Sequence, residues 1–260
     1  MRPDPSPHAD TSSEDVNDRI TMLIWASLFL ALAVFSKLPG LDLLVSARYW
    51  HPDKGFVHAQ DAFVVGMYTV TPWLGRTLLL LLALFALTAP AIARLLKHRG
   101  HFDLATRCTG SWRHLAAVAA LAAALGNGLI VEGVLKNTMG RPRPVQTQEF
   151  GGPVPYVAPF HLGAHPGEHR SFTSGHAATG FSLMCLGLTC GPLWRRRWLL
   201  IGMVVGAVVG FGRILQGGHY LSDVLFSFYA IWLSCELVVW WDHRRQRRRA
   251  AAAGTAPPTP

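Results

Sequence analysis

The sequence predicts an all-α polytopic membrane protein, a six-transmembrane-helix bundle with its chemistry gathered on one membrane face. Three observations predict it. Half of the 260 residues are hydrophobic and only 15% are charged, whereas soluble domains run near 25% charged. The apolar residues gather into blocks close to the ~20 residues that cross a bilayer. The cations, which leave a formal net charge of +9, sit at the ends of those blocks. They do not line one amphipathic face, so the partner this pattern fits is the lipid bilayer and not nucleic acid.

The elements follow in order. Residues 1–19 are polar and rich in Pro, Ser and Asp and read as a disordered tail. Their acidic character and the lack of a small-residue cleavage site set them apart from a secretory signal. The predicted spans are 20–38, 73–95, 113–135, 173–192, 198–216 and 220–241. Residues 57–73 read as an interfacial segment lying ahead of the second span. In the fifth span Gly202, Gly206 and Gly210 recur every four residues, a spacing that permits close helix contact. Residues 244–260, basic and then rich in Ala and Pro, form a second tail and leave 20–243 as the membrane domain. Cys108, Cys185, Cys190 and Cys235 form no CxxC pair, so neither a disulfide framework nor a zinc site is expected.

Six spans put both termini on one side. That side also holds Arg94, Lys97, Arg99, Arg107, Arg113, the arginines at 195–197 and the RRQRRR run at 244–249. The positive-inside rule makes it the cytoplasm of an inner, cytoplasmic membrane. By parity, the connections between spans 3 and 4 and between spans 5 and 6 face outward, toward the periplasm. Those two connections carry the unusual residues.

His219 and Asp223 are four apart at the start of a helix and share a face. A carboxylate there fixes the imidazole tautomer and makes the other ring nitrogen a better base or nucleophile. The alternative is a structural pair tying helices together. Lys136, Arg141, Arg143 and Arg213 have no comparable acidic group nearby in sequence, and uncompensated arginines favour phosphate-like oxyanions. The alternative for them is lipid-headgroup anchoring. Ser174 and Gly175 precede His176 where a helix N-terminus offers free N–H groups to an anion. Read alone, this is equally a plain N-cap with a bystander histidine.

Taken together, Lys136-x6-Arg143-Pro144, Ser174-Gly175-His176 and Arg213-x5-His219-x3-Asp223 resemble the three-part signature of the type 2 phosphatidic acid phosphatase superfamily. The resemblance implies a metal-independent membrane lipid phosphatase that needs no cofactor. It implies that Lys136, Arg143 and Arg213 bind phosphate oxygens, with Ser174 and the Gly175 amide adding hydrogen bonds. It implies that His219 attacks phosphorus, that Asp223 orients His219, and that His176 protonates the leaving oxygen and then activates water. Arg141, inside the variable stretch of the first motif, is expected to be auxiliary. Two positions depart from the common pattern: Gly212 precedes Arg213 where serine is frequent, and Thr173 stands in place of proline. Neither removes a group with a chemical role.

The stretch KNTMGRPRPVQTQEFGG resembles most the branch acting on lipid A, at its 1- or 4′-phosphate. Undecaprenyl pyrophosphate, phosphatidylglycerophosphate and phosphotransfer to a lipid hydroxyl are the alternatives. An anion transporter is the non-enzymatic one, though no inverted repeat is visible. In the loop 145–170, Phe150, Tyr156 and Phe160 are placed either to touch substrate or to pack the loop down. His161, His165 and His169 recur every four residues, as a metal tract would, but Pro166 and Gly167 argue against a helix through them.

Overall fold

The computed structural model describes the backbone of residues 8–253 and the side chains of 15–253. Helix α1 runs over His8–Lys37 and α2 over Leu41–Ala47, followed by a short antiparallel pair, β1 (Trp50–His51) and β2 (Gly55–Phe56). Helix α3 is Ala62–His98 and α4 is Phe102–Thr109. Helix α5, Ser111–Ala123, continues through wider π turns at Ala124–Leu135 into α6, Lys136–Thr138. A long connection leads to α7, Gly175–Phe181, which passes into 3-10 turns at Ser182–Gly187. Helices α8, Pro192–Leu215, and α9, Leu221–Ala252, complete the chain.

Among the described residues, five helical stretches are long and apolar enough to cross a membrane: Asp15–Lys37, Ala62–His98, Phe102–Thr138, Pro192–Leu215 and Leu221–Ala252. The segment expected as a fourth continuous span, 173–192, is instead the short α7 with its 3-10 extension. Glycines let this segment lie close against α8. A Cβ on Gly180 would lie 2.7 Å from the Gly206 Cα, and one on Gly187 would lie 2.8 Å from the Trp198 Cβ. The segment is pressed backbone to backbone against α8. The small-residue spacing in α8 therefore makes the close contact expected of it. Gly202 and Gly206 meet Met184 and Phe181, and Gly210 meets Val224 of α9.

Three further boundaries differ from expectation. Residues 62–73 are continuous with the second span, in a helix that absorbs Pro72 and Pro90; only 57–61 remain outside it. At the termini, α1 already begins at His8 and α9 runs on to Ala252, so much of each expected tail is helical; residues 1–7 and 254–260 lie outside the described residues.

The core is built around α9, the most buried of the five long helices; α3 is the least. Ile24, Leu28 and Phe35 of α1 pack with Phe181 and Met184 and with Val224, Phe228, Ile231 and Trp232 of α9. Leucines such as Leu80 and Leu87 stand exposed on α3, as suits a helix whose outer face meets hydrocarbon. A smaller apolar cluster of Phe56, Phe150 and Tyr220 ties β2 and the long connection to the start of α9. Phe160 packs on Phe172 and Phe226, and Tyr156 on Tyr220. All three loop aromatics thus hold the connection onto the bundle.

Because Phe181 lies against Gly206, replacing Gly206 with Ala should overpack that contact by about 1–3 kcal/mol. The thermal midpoint in detergent should fall by about 2–10 °C; an unchanged midpoint would mean that the seam is loose.

Candidate active site

The site forms where α6, α7, the turn before α9 and the end of α8 converge. The turn is closed by Gly217 N–H donating to Ile214 O (2.9 Å) and Gly218 N–H to Arg213 O (2.9 Å). Gly217 has φ +62°, a left-handed conformation that glycine adopts without a Cβ clash. A Cβ on Gly218 would lie 2.6 Å from Arg213 Cζ, so two glycines let His219 fold back beside Arg213. The second motif is fastened to the third: Ser174 N–H donates to Asp223 O (3.1 Å), and Ser227 Oγ–H donates to Ser174 O (2.9 Å). The first meets the second at Gly175, where a Cβ would lie 2.8 Å from Lys136 Nζ and overlap the Glu132 carboxylate.

His219 and Asp223 are both buried, with Nδ1 of the imidazole 3.5 Å from Asp223 Oδ2. That separation is a close charge contact but lies at the limit of a hydrogen bond, and Nδ1 has no hydrogen-bond partner among the described residues. The carboxylate is otherwise fully engaged. Its Oδ2 accepts from Ser171 Oγ (2.6 Å) and Tyr220 N–H (2.9 Å), and its Oδ1 accepts from Arg141 Nη1 (2.6 Å). Burial holds the His219 imidazole far below its ordinary 6.5, at about 3; Asp223 pulls the other way, while Arg213 adds to burial. The histidine is therefore neutral at physiological pH, with Nε2 directed away from Asp223.

Arg213 stacks on the Tyr68 ring, 4.5 Å from guanidinium carbon to ring centroid, and bonds Gln216 Oε1 through Nη1. Its Nε is buried without a hydrogen-bond partner. Among the described residues no carboxylate pairs with Arg213 or Arg143, and Arg143 is close enough to act on the charges of both Arg213 and Lys136. His176 stacks on the other member of this group, Tyr68 (4.8 Å between centroids), with Nε2 3.1 Å from Tyr68 O. Ser174 caps α7 by accepting from Ala177 N–H (3.3 Å), which leaves its own proton to donate. The structure thus brings all the sequence-predicted residues together.

Two of them differ in kind from expectation, because the four cations are not uniformly uncompensated. Lys136 pairs with Glu132 (2.5 Å), which also meets Arg170 (3.5 Å). Arg141 is wholly enclosed and spends all five of its N–H donors. Nε goes to Val157 O (2.9 Å), Nη1 to Ser222 Oγ (2.8 Å) and Asp223, and Nη2 to Asp42 Oδ2 (2.7 Å) and Tyr156 Oη (3.2 Å). None remains for a phosphate, so Arg141 is a structural tie and not an auxiliary anion ligand. Burial opposes its charge, but Asp223 and Asp42 outweigh burial and raise its affinity for the proton above that of an ordinary guanidinium. Burial likewise raises the Asp42 carboxyl, with Arg141 pulling it back.

Sequence reasoning missed Asp42, Glu132 and Tyr68. The first two carried the signal that identified Asp223, an isolated carboxylate in apolar sequence; Tyr68 carried none. Among the described residues no three His, Cys, Asp or Glu side chains converge as metal ligands; the rings of His165 and His169 lie 6.1 Å apart.

Two outcomes follow from this geometry. Since the folded His219 value lies below the ordinary one, protonation is deferred until the pH falls toward about 3. Histidine-selective nitrogen NMR of the free protein should find this ring neutral at about pH 5; a midpoint near 6.5 would contradict the burial argument. Glu132 competes with any anion for Lys136, so Glu132→Gln should tighten inhibition by inorganic phosphate about two- to fivefold, the worth of a half-exposed pair. Weaker inhibition would show that Glu132 positions Lys136.

Residues 117–247 match the PAP2 superfamily. The chain is 26% identical over 216 residues to a Lipid A 4′-phosphatase of Francisella tularensis subsp. novicida, covering 81% of this chain and 90% of that protein. It is 36% identical over 114 residues to a Lipid A 4′-phosphatase of Rhizobium etli, covering 44% of this chain and 43% of that one. A Lipid A 4′-phosphatase of Rhizobium leguminosarum is 35% identical over 114 residues, 44% of this chain and 47% of that protein. No solved structure matches the chain. The matched segment holds all three motifs that converge on His219, and the chain belongs to the PAP2 superfamily.

Proposed function

We infer that lipid A is the substrate of this membrane lipid phosphatase and that the 4′-phosphate is the one removed. The observation that carries the reaction is the buried His219, with Nδ1 3.5 Å from the Asp223 carboxylate and with Arg213, which has no carboxylate partner among the described residues, close enough to act on its charge. The substrate and position are supported by relatives that are Lipid A 4′-phosphatases, one of them alignable over most of its length.

The mechanism follows from which atoms are free. Lys136, Arg143 and Arg213 hold the phosphate oxygens, with the Ser174 hydroxyl and the Gly175 amide adding hydrogen bonds. His219 keeps its proton on Nδ1, toward Asp223, so Nε2 carries the lone pair. Nε2 attacks phosphorus as the bond from phosphorus to the sugar oxygen breaks, and His176, which enters the step as imidazolium beside the bound phosphate, gives that oxygen its proton and becomes neutral. The product is a phosphohistidine, whose imidazolium charge Asp223 compensates. Water, losing a proton to His176, then attacks phosphorus and releases inorganic phosphate and neutral His219. Fixed cations already stand where negative charge collects on the transferring group, which lowers the barrier without reorganisation at the moment of reaction.

On this reading α7 with its 3-10 extension serves as the sixth crossing of an inner-membrane bundle. An even number of crossings puts both termini in the cytoplasm, together with the arginine runs at 195–197 and 244–249. The site then faces the periplasm.

The test is phosphate release by the purified protein in detergent with EDTA, offered lipid A, undecaprenyl pyrophosphate and phosphatidylglycerophosphate in parallel. Release from lipid A with loss of the 4′-phosphate by mass spectrometry is expected. Preference for another lipid, loss of the 1-phosphate, or transfer to a lipid hydroxyl would overturn the substrate assignment. His219→Ala and Asp223→Asn should each lower the rate by about a thousandfold or more while leaving the protein in the membrane. Wild-type rates from His219→Ala, or inhibition by EDTA that a divalent metal reverses, would remove the mechanism.

A further inference from the structure

We propose that Asp42 is a positioning residue of the phosphoryl-transfer centre, acting through Arg141 to keep Asp223 available to His219. The inference rests on the reading of His219 as the nucleophile.

Asp42 comes from α2, far from all three motifs in sequence, yet it is as fully buried as Asp223. Its Oδ1 accepts from Ser222 N–H (2.9 Å), and its Oδ2 from Ser222 Oγ–H (2.5 Å) and Arg141 Nη2 (2.7 Å). Every partner is a donor, the arrangement that holds a carboxyl group in its charged form. Ser222 directly precedes Asp223, so Asp42 grips the first turn of α9 at its backbone and its side chain. Arg141 then bridges the two carboxylates, one guanidinium nitrogen to each.

The bridge decides how much charge Asp223 shows to its histidine. Two carboxylates share one guanidinium, so the buried group carries one net negative charge. Arg141 takes only Oδ1 of Asp223, and Oδ2 remains on the His219 side. Without the charge on Asp42, Arg141 would be opposed by Asp223 alone, and a guanidinium facing one carboxylate prefers the two-point fork. Asp223 would then be a weaker acceptor for the His219 Nδ1 proton and a weaker counter-charge for the phosphohistidine. The phosphate-binding cations are untouched by this change, so turnover should fall while phosphate affinity holds.

The charge count supplies a test that a merely structural residue would not pass. Asp42→Asn makes the group neutral, and Asp42→Asn combined with Arg141→Gln restores one net negative charge. The variants are purified in detergent with their thermal midpoints recorded. Phosphate release is measured from lipid A, or from phosphatidic acid should the wild type hydrolyse that instead, together with inhibition by inorganic phosphate. Asp42→Asn should lower kcat about tenfold or more, the scale of losing a group that supports a reacting side chain. Its inhibition constant for phosphate should stay within about twofold, and the double variant should regain at least part of the lost kcat. If Asp42→Asn does not fold, a folded and active double variant still supports the charge argument.

Wild-type kcat in Asp42→Asn, a double variant as slow as or slower than the single one, or failure of both to fold would each overturn the proposal. His219→Ala separates the two levels. Full activity in that variant removes the reading of the nucleophile itself, whereas an inactive His219→Ala beside a wild-type Asp42→Asn removes only the role of Asp42.

Discussion

One buried guanidinium holds this protein's chemical end together. Arg141 binds α2 through Asp42, the start of α9 through Ser222 and Asp223, and the long connection through Val157 and Tyr156. Its face also lies over Tyr220, 4.2 Å from the ring centroid. Isolated, an arginine so deeply enclosed would cost several kcal/mol; removing one partner of such a pair typically costs about 3–5 kcal/mol. Two carboxylates and five spent donors are what make the burial tolerable. Arg141 thus joins each of these segments to the others, including the carboxylate that faces His219, which Ser171 and the Tyr220 amide also hold.

The arginines of the site consequently divide by pairing, not by burial: Arg141 and Arg213 are both buried, but only Arg141 meets carboxylates among the described residues. Arg141 is satisfied entirely by protein and works as a fastener. Arg143 and Arg213 have no carboxylate partner among the described residues, and Arg213 is held by stacking and by Gln216, contacts that leave Nε without a partner. Lys136 is intermediate, since Glu132 occupies it from one turn away. A site that must bind and then release phosphate benefits from this mixture. Wholly unpaired cations would destabilise the empty state, and wholly paired ones would give an anion little reason to enter.

Much of this was legible in the sequence, for physical reasons that also mark where legibility ends. Long apolar blocks announce membrane helices because lipid demands them, and five of the expected stretches are helices of that length. The stretch 173–192 differs where its own Gly180 and Gly187 press against Gly206 and Trp198 of α8, a contact between separate parts of the chain that no local pattern reports. His219, Asp223, Ser174, Gly175 and the cations of the motifs were visible because each motif is short and regular. The bond from Arg141 to Asp42 joins residues 99 apart and that to Asp223 residues 82 apart, so nothing near Arg141 in sequence showed that it is neutralised. Asp42 and Glu132 carry the same sequence signal as Asp223, an acidic residue in apolar surroundings.

Tyr68 sits between His176 and Arg213, and it belongs to α3, the long helix with the least of its surface covered. One wall of the site is therefore a helix whose far side is apolar and exposed, a face suited to acyl chains. A headgroup anchored in the same leaflet meets that wall by sliding along the membrane, and encounter becomes a two-dimensional event. For a catalyst so placed the controlling variable is the mole fraction of substrate among its neighbouring lipids. Diluting the substrate with inert lipid then slows the reaction even when the amount per millilitre is unchanged, and crowding of the leaflet acts as a form of control.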